Sequence, residues 1–245
     1  MLIHISEDSD LMGRAAALYC EKIMRETLKA NGRARILLST GASQFDFFTH
    51  FVKAELEWDK VEMFHLDEYV QLSEDHPASF RKYLKERFLQ PTGVHKYWLV
   101  DGEKDVHEKL QRLNEEIAKY PVDLALIGIG ENAHIAFNDP PADFHTKEPY
   151  KIVDLDDACK QQQVREGWFK SIDEVPKQAI TMTVHQILQS KQIVSCVPHQ
   201  VKAKAIRQTL QSSVTPEVPS TILKTHPHWR LYLDKESSAE MIAWP

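Results

Sequence analysis

Short apolar runs of strand length alternate with segments of helical periodicity almost from one end of this chain to the other, and that alternation most limits what it can fold into. Leu2 to Ile5, Arg35 to Ser39, Val61 to Leu66, Tyr97 to Val100, Leu124 to Gly128, Ile180 to Thr183, Ile193 to Val197 and Leu231 to Leu233 read as strands. A long helix is predicted from about Asp8 to Ala30, capped by Ser6 or Asp8 and ended by Asn31-Gly32. Further helices run through Phe51 and cover Phe80 to Phe88, Val106 to Lys119 and Val201 to Leu210. This rhythm implies an α/β fold, a mainly parallel sheet with helices on both faces, whose ligand lies across the carboxyl ends of the strands. No repeat, low-complexity tract or Gly/Ser linker marks a boundary, so residues 1–245 read as a single domain. The least regular stretch, Pro140 to Lys177, reads as a lid or active-site flap, with a plain surface excursion as the competing reading.

Composition narrows the function. The formal net charge is −6 and lysine and arginine are scattered, which argues against a nucleic-acid or anionic-membrane partner and requires any anion to be held locally. Cys20, Cys159 and Cys196 are far apart and form no CxxC pair, which fits a reducing compartment and supports neither a disulfide framework nor structural zinc. The amino terminus lacks a basic region followed by an apolar core, and no window approaches the ~20 apolar residues of a membrane span. A cytoplasmic location is the expectation.

Three strand ends carry candidate chemistry. Ile36-Leu37-Leu38-Ser39-Thr40-Gly41-Ala42-Ser43-Gln44 runs from a strand through small, hydroxylated residues into a helix, where free backbone N–H groups and the helix dipole suit a phosphate. An ordinary turn with Ser43 capping the helix accounts for the same residues. Val61 to Tyr69 ends in Asp67 and Glu68, and because neighbouring strand positions face opposite sides, one of the two is expected to face a ligand as an acid or base. After Leu124 to Gly128 come Asn132, His134 and Asp139, an imidazole with a carboxylate within reach, which is the usual arrangement for moving a proton near neutral pH. A structural histidine capping a turn is the alternative. His134 lacks a second histidine at helical spacing or a paired cysteine, so metal ligation is not favoured. Lys202, after the strand ending near Cys196, could reach an anion at the sheet edge or be a solvated helix charge.

Taken together, Leu66-Asp67-Glu68-Tyr69 with Asp75-His76-Pro77-Ala78-Ser79-Phe80, the run Gly128 to Pro140, and Ser171 to Met182 resemble the glucosamine-6-phosphate deaminase/isomerase family over nearly the whole chain. The resemblance implies a Rossmann-like fold and a metal-free, cofactor-free conversion of glucosamine 6-phosphate and water to fructose 6-phosphate and ammonia. It implies that His134 opens the sugar ring, that Asp67 carries a proton from C2 to C1, and that Asp139, assisted by Asn132, supports His134. Thr40, Gly41, Ala42, Ser43 and Lys202 would hold the phosphate. The partner is then a small sugar phosphate; homo-oligomerisation is left open.

Four positions depart from the family pattern. Asp139 replaces a glutamate, so a water or a backbone shift is expected to close the gap to His134. Asn132 stands where some members have aspartate and adds no charge. Ala133 replaces a usual glycine, at about 1 kcal/mol if the backbone there needs positive φ. Gly167 occupies the place of a phosphate-binding arginine, and Arg165, two residues earlier, is the candidate substitute; otherwise a contact of about 1.5 to 3 kcal/mol is lost. Galactosamine-6-phosphate deamination, 6-phosphogluconolactone hydrolysis and a sugar-phosphate sensor that has lost its chemistry are the alternatives.

Overall fold

The computed structural model describes residues 1–241; the last four residues of the chain, 242–245, which the single-domain reading included, lie outside the described residues. The elements, in chain order, are β1 (Leu2–Ser6), α1 (Ser9–Asn31), β2 (Ala34–Leu38), α2 (Phe45–Phe51), β3 (Val61–His65), β4 (Asp67–Tyr69), α3 (Phe80–Leu84) and α4 (Gln90–Thr92), the last two joined by a π turn at Lys85–Leu89. Then follow β5 (Lys96–Trp98), α5 (Val106–Ala118), β6 (Leu124–Leu126), β7 (Tyr150–Asp154), α6 (Asp157–Arg165), β8 (Gln178–Met182), α7 (Val184–Leu188), β9 (Ile193–Val197), α8 (Ala203–Gln211) and β10 (Trp229–Asp234). Seven strands form one sheet in the order β1-β10-β9-β6-β2-β3-β5, every pair parallel.

Strand alternation divides the core between the two faces. Ile36, Leu38, Met63, Leu124, Leu126, Val194 and Cys196 pack with α1, α2 and α3 through Met12, Cys20, Phe47, Phe51 and Leu84. Their neighbours Leu37, Phe64, Ala125, Ile193 and Val197 point the other way, onto Leu113 and Ile117 of α5, Ile187 of α7 and Ile206 of α8. The long α1 begins where Asp8 accepts the Leu11 N–H and ends where Gly32, at φ 68°, turns its own N–H back to Leu28 O. Among the described residues, no helix is long and apolar enough to cross a membrane.

The strand read at Ile180 to Thr183 exists as β8, but it belongs to a second sheet, β4-β8-β7, in which both pairs are antiparallel. An apolar run shows that a strand is buried without showing which sheet receives it. The stretch Pro140 to Lys177, the least regular in sequence, holds β7 and α6. Three of the five residues of β7 are only half-buried, so no strong period marks it. Phe137, Leu155, Cys159, Phe169 and Val175 gather with Tyr69 and Ala179 into a third cluster, which seats this stretch against the small sheet.

Candidate active site

A cleft of about 400 Å³ opens where β2, β3, β6 and β9 end, the carboxyl edge of the parallel sheet. The turn after β2 supplies Ser39 through Ser43, the step from β3 into β4 supplies Leu66 and Asp67, and the segment after β6 supplies Gly128 to Glu131 and His134. The turn after β9 adds His199, Val201 and Lys202, and α6 with the residues just past it adds Gln162, Gln163, Arg165, Glu166 and Trp168. Asp67, His134, Thr40, Gly41, Ala42, Ser43, Lys202 and Arg165 therefore all face one space, while Asn132 and Asp139 stand behind the imidazole.

His134 is held from two sides. Its Nδ1 lies 2.8 Å from Asp139 Oδ1, and Asn132 braces both: its Nδ2 donates to the same oxygen at 3.1 Å, and its Oδ1 accepts the His134 N–H at 3.1 Å. The expected water or backbone shift is not needed, because the shorter aspartate reaches the ring directly. A carboxylate only accepts, so Nδ1 carries the hydrogen and Nε2 is the free base. Burial would raise the Asp139 carboxyl, but hydrogen bonds from His134, Asn132 and the Cys159 thiol hold it below its usual range. The ring packs against Gly130: a Cβ there would run first into His134 Nε2 and sit 2.5 Å from both Cδ2 and Cε1. Ala133 adopts φ 65°, so the alanine does occupy a left-handed position.

Asp67 and Glu68 divide as strand alternation requires. Asp67 faces the cleft, and burial, reinforced by the charge of Glu68, pushes it up to about 8. Glu68 is fully buried on the opposite side, accepting from Tyr69 N at 3.0 Å, Ser79 Oγ at 3.0 Å and Arg81 N at 2.8 Å. Arg81, also buried, binds Glu68, Asp101, Glu103 and Leu72 O, fixing the chain that follows Asp67. Thr181 sits opposite Asp67 in the β4–β8 ladder and its Oγ1 accepts the Phe137 N–H at 3.0 Å, so one residue ties the histidine turn to the acid strand. The Asp67–Glu68 pairing was readable from alternation; Arg81 and Thr181 carried no signal, because their partners are distant in sequence.

At the other end of the cleft, Lys202 is buried at 7% exposure with no ion-pair or hydrogen-bond partner among the described residues. Burial lowers its pKa, opposed by the charges of Glu166 and Glu131. Lys202 is thus not a charge on an exposed helix face: its stem is buried and its unpaired ammonium opens to the cleft, where an anion would complete it. The turn opposite is a 3₁₀ helix, Ala42–Gln44, entered through Gly41 without a side-chain cap. Ser43 therefore does not cap a helix: the turn begins before it, and Ser43 lies on the wall of the cleft. Arg165 reaches the cleft from the last turn of α6 and pairs with Glu131 at 2.9 Å, while Gly167, at φ 80°, lies just beyond.

A parallel α/β sheet that delivers a supported imidazole and a desolvated carboxyl to one cleft at its carboxyl edge defines an acid–base enzyme. The chain belongs to the family Glucosamine-6-phosphate isomerases/6-phosphogluconolactonase, matched over residues 7–231. It is 34% identical over 242 residues to a glucosamine-6-phosphate deaminase of Lactobacillus delbrueckii subsp. bulgaricus, covering 98% of this chain and 99% of that protein. A glucosamine-6-phosphate deaminase of Streptococcus pneumoniae is 35% identical over 217 residues, 88% of this chain and 91% of that one. Among solved structures, a monomeric glucosamine-6-phosphate deaminase superposes with TM-score 0.90 at 26% identity, covering 98% of this chain and all of the other. A 6-phosphogluconolactonase from Shewanella baltica, at 17% identity and TM-score 0.79 over 96% of this chain and 97% of that one, shares the fold.

Proposed function

We propose that this protein converts glucosamine 6-phosphate and water to fructose 6-phosphate and ammonia, acting as one domain in the cytoplasm. The observation that carries the reading is the convergence of His134, Asp67 and the unpartnered Lys202 on a single cleft. Relatives along almost the full chain are named for this activity, and the three cysteines are all free and buried.

In this reading the phosphate lies between the turn Thr40 to Ser43 and Lys202, with Arg165 available from α6 once it leaves Glu131. Two hydroxyls, free backbone N–H groups and an unpaired ammonium match a phosphate dianion. The sugar then extends toward His134 and Asp67. His134 Nε2 takes the proton of the anomeric hydroxyl as the C1–O5 bond breaks and returns it to O5, giving the open-chain aldehyde; Asp139 steadies the transient imidazolium. Asp67, as carboxylate, removes the proton from C2 and delivers it to C1 while a proton passes from the amine nitrogen to O1, leaving a hydroxyl at C1 and an imine at C2. Water adds to that carbon and ammonia departs.

Ammonia release from glucosamine 6-phosphate and galactosamine 6-phosphate, with acid release from 6-phosphogluconolactone alongside, tests the reading. Turnover of glucosamine 6-phosphate with stoichiometric fructose 6-phosphate is expected. Binding of these compounds without turnover of any would replace the enzyme with a sensor.

A further inference from the structure

One buried polar side chain at the anion end of the cleft is not used by the mechanism. Gln44, 1% exposed, ends the 3₁₀ turn and sends its amide back under it. Gln44 Nε2 lies 3.1 Å from Cys196 O and 3.0 Å from Ser43 Oγ. A carbonyl oxygen only accepts, so the nitrogen, not the oxygen, must face Cys196, and its second hydrogen is left for Ser43.

Both ends of this bridge have a reason. On β9, Val194 O takes the Ile127 N–H just past the end of β6. Cys196 O points to the same side two residues further on, where β6 no longer continues, and Gln44 fills that gap in the ladder. At the other end, Ser43 Oγ accepts from Gln44, so its single hydrogen must go elsewhere. Among the described residues it finds no acceptor, and Ser43 lines the cleft.

We propose that Gln44 is a positioning residue that sets the polarity of the anion site. By occupying the acceptor side of Ser43 it turns the hydroxyl hydrogen into the cleft, toward a phosphate oxygen. By holding Cys196 O it also ties the turn after β2 to the strand whose next turn carries Lys202, fixing the spacing of the two halves of the clamp. This rests on the reading that the turn receives a phosphate group.

Gln44→Glu and Gln44→Leu in the full chain separate polarity from packing. A glutamate presents oxygens where the amide presented hydrogens, so Ser43 would donate to it and turn away from the ligand; a leucine leaves the hydroxyl free to rotate. The expected result is a KM for glucosamine 6-phosphate and a competitive Ki for inorganic phosphate raised about 30-fold by Glu and about fivefold by Leu, with the loss falling on KM rather than kcat. Equal effects of the two substitutions, or a Gln44→Glu protein that binds phosphate as wild type does, would overturn the proposal. Should Gln44→Glu not fold, Gln44→Leu combined with Ser43→Ala decides. Effects on phosphate Ki that are less than multiplicative support action through the hydroxyl, and fully multiplicative effects refute it. Because phosphate binding is also read by calorimetry, a wild-type protein that binds phosphate yet releases no ammonia counts against the proposed activity and not against the role of Gln44.

Discussion

Replacing Asp67 by asparagine separates what the catalytic carboxyl costs the fold from what it contributes to the reaction. In the folded protein, burial and the neighbouring charge of Glu68 lift Asp67 to about 8, whereas an aspartate in an unfolded chain titrates near ~3.9. Between those values the folded state keeps a proton that the unfolded state has released. The stabilisation from this group is therefore complete below about pH 4 and is lost as pH rises toward about 8, at about 1.4 kcal/mol per pH unit. By pH 7 the wild type has given up about 4 kcal/mol relative to a side chain of the same shape that stays neutral. Asp67→Asn should thus be more stable than wild type by up to about 4 kcal/mol at pH 7 and equally stable near pH 4, while kcat falls by about a thousandfold. Urea unfolding of both proteins at about pH 5, 6, 7 and 8, beside ammonia release, reads both effects. Stability curves that run parallel across that range would refute the desolvation argument, and undiminished turnover would remove Asp67 from the mechanism.

Gly130→Ala drives a methyl group into the imidazole, meeting Nε2 first and lying 2.5 Å from Cδ2 and Cε1, so the ring or the turn must shift; kcat should fall by at least about a hundredfold, and an unchanged kcat would show that the ring can move without loss. Lys202→Met removes the unpaired ammonium at the cleft wall, and the KM for glucosamine 6-phosphate should rise by about ten- to a hundredfold, corresponding to ~1.5 to 3 kcal/mol of charge-assisted hydrogen bonding; a KM within twofold would place the phosphate elsewhere. Arg81→Met leaves Glu68 buried without its guanidinium and should cost about 3 to 5 kcal/mol in urea unfolding; a loss below about 1 kcal/mol would show that the backbone donors and the Ser79 hydroxyl satisfy Glu68 without it.

Most of what positions the site could be read in the chain because it is local. Asp8 and Gly32 announce α1, the alternation at Asp67 and Glu68 assigns one acid to each side, and His134 with Asn132 and Asp139 lie within eight residues of one another. What escaped is long-range. Gln44 is separated by 152 positions from Cys196, and nothing in either neighbourhood signals the other. The same holds for Thr181, 44 positions from Phe137. The small antiparallel sheet was missed for a related reason: β4 is three residues long and β7 is mostly half-buried, so neither shows a period before its partner is known. The departure at Asp139 looked like a defect on paper because side-chain length was weighed without the turn that brings its carboxylate to the ring.

The raised pKa of Asp67 bears on selectivity as well as on stability. A carboxyl that titrates near 8 in the unliganded cleft is mostly neutral at pH 7 and cannot accept the C2 proton. An amino sugar corrects this on arrival. Whether the amine enters as ammonium or takes its proton from Asp67, the result is a carboxylate beside a cation, and an opposite charge within about 4–6 Å lowers a carboxyl pKa by about 1 to 3 units. Glucose 6-phosphate, which fills the same space with a neutral hydroxyl at C2, leaves Asp67 protonated. The expected outcome is an acid limb in kcat for glucosamine 6-phosphate about 1 to 3 pH units below the one near 8 set by the free enzyme. Glucose 6-phosphate in D₂O should exchange its C2 hydrogen only as pH approaches 8. Exchange from glucose 6-phosphate at pH 6 as fast as at pH 8 would mean that the base is already ionised in the empty cleft, and that the amine is recognised by something other than the charge it creates.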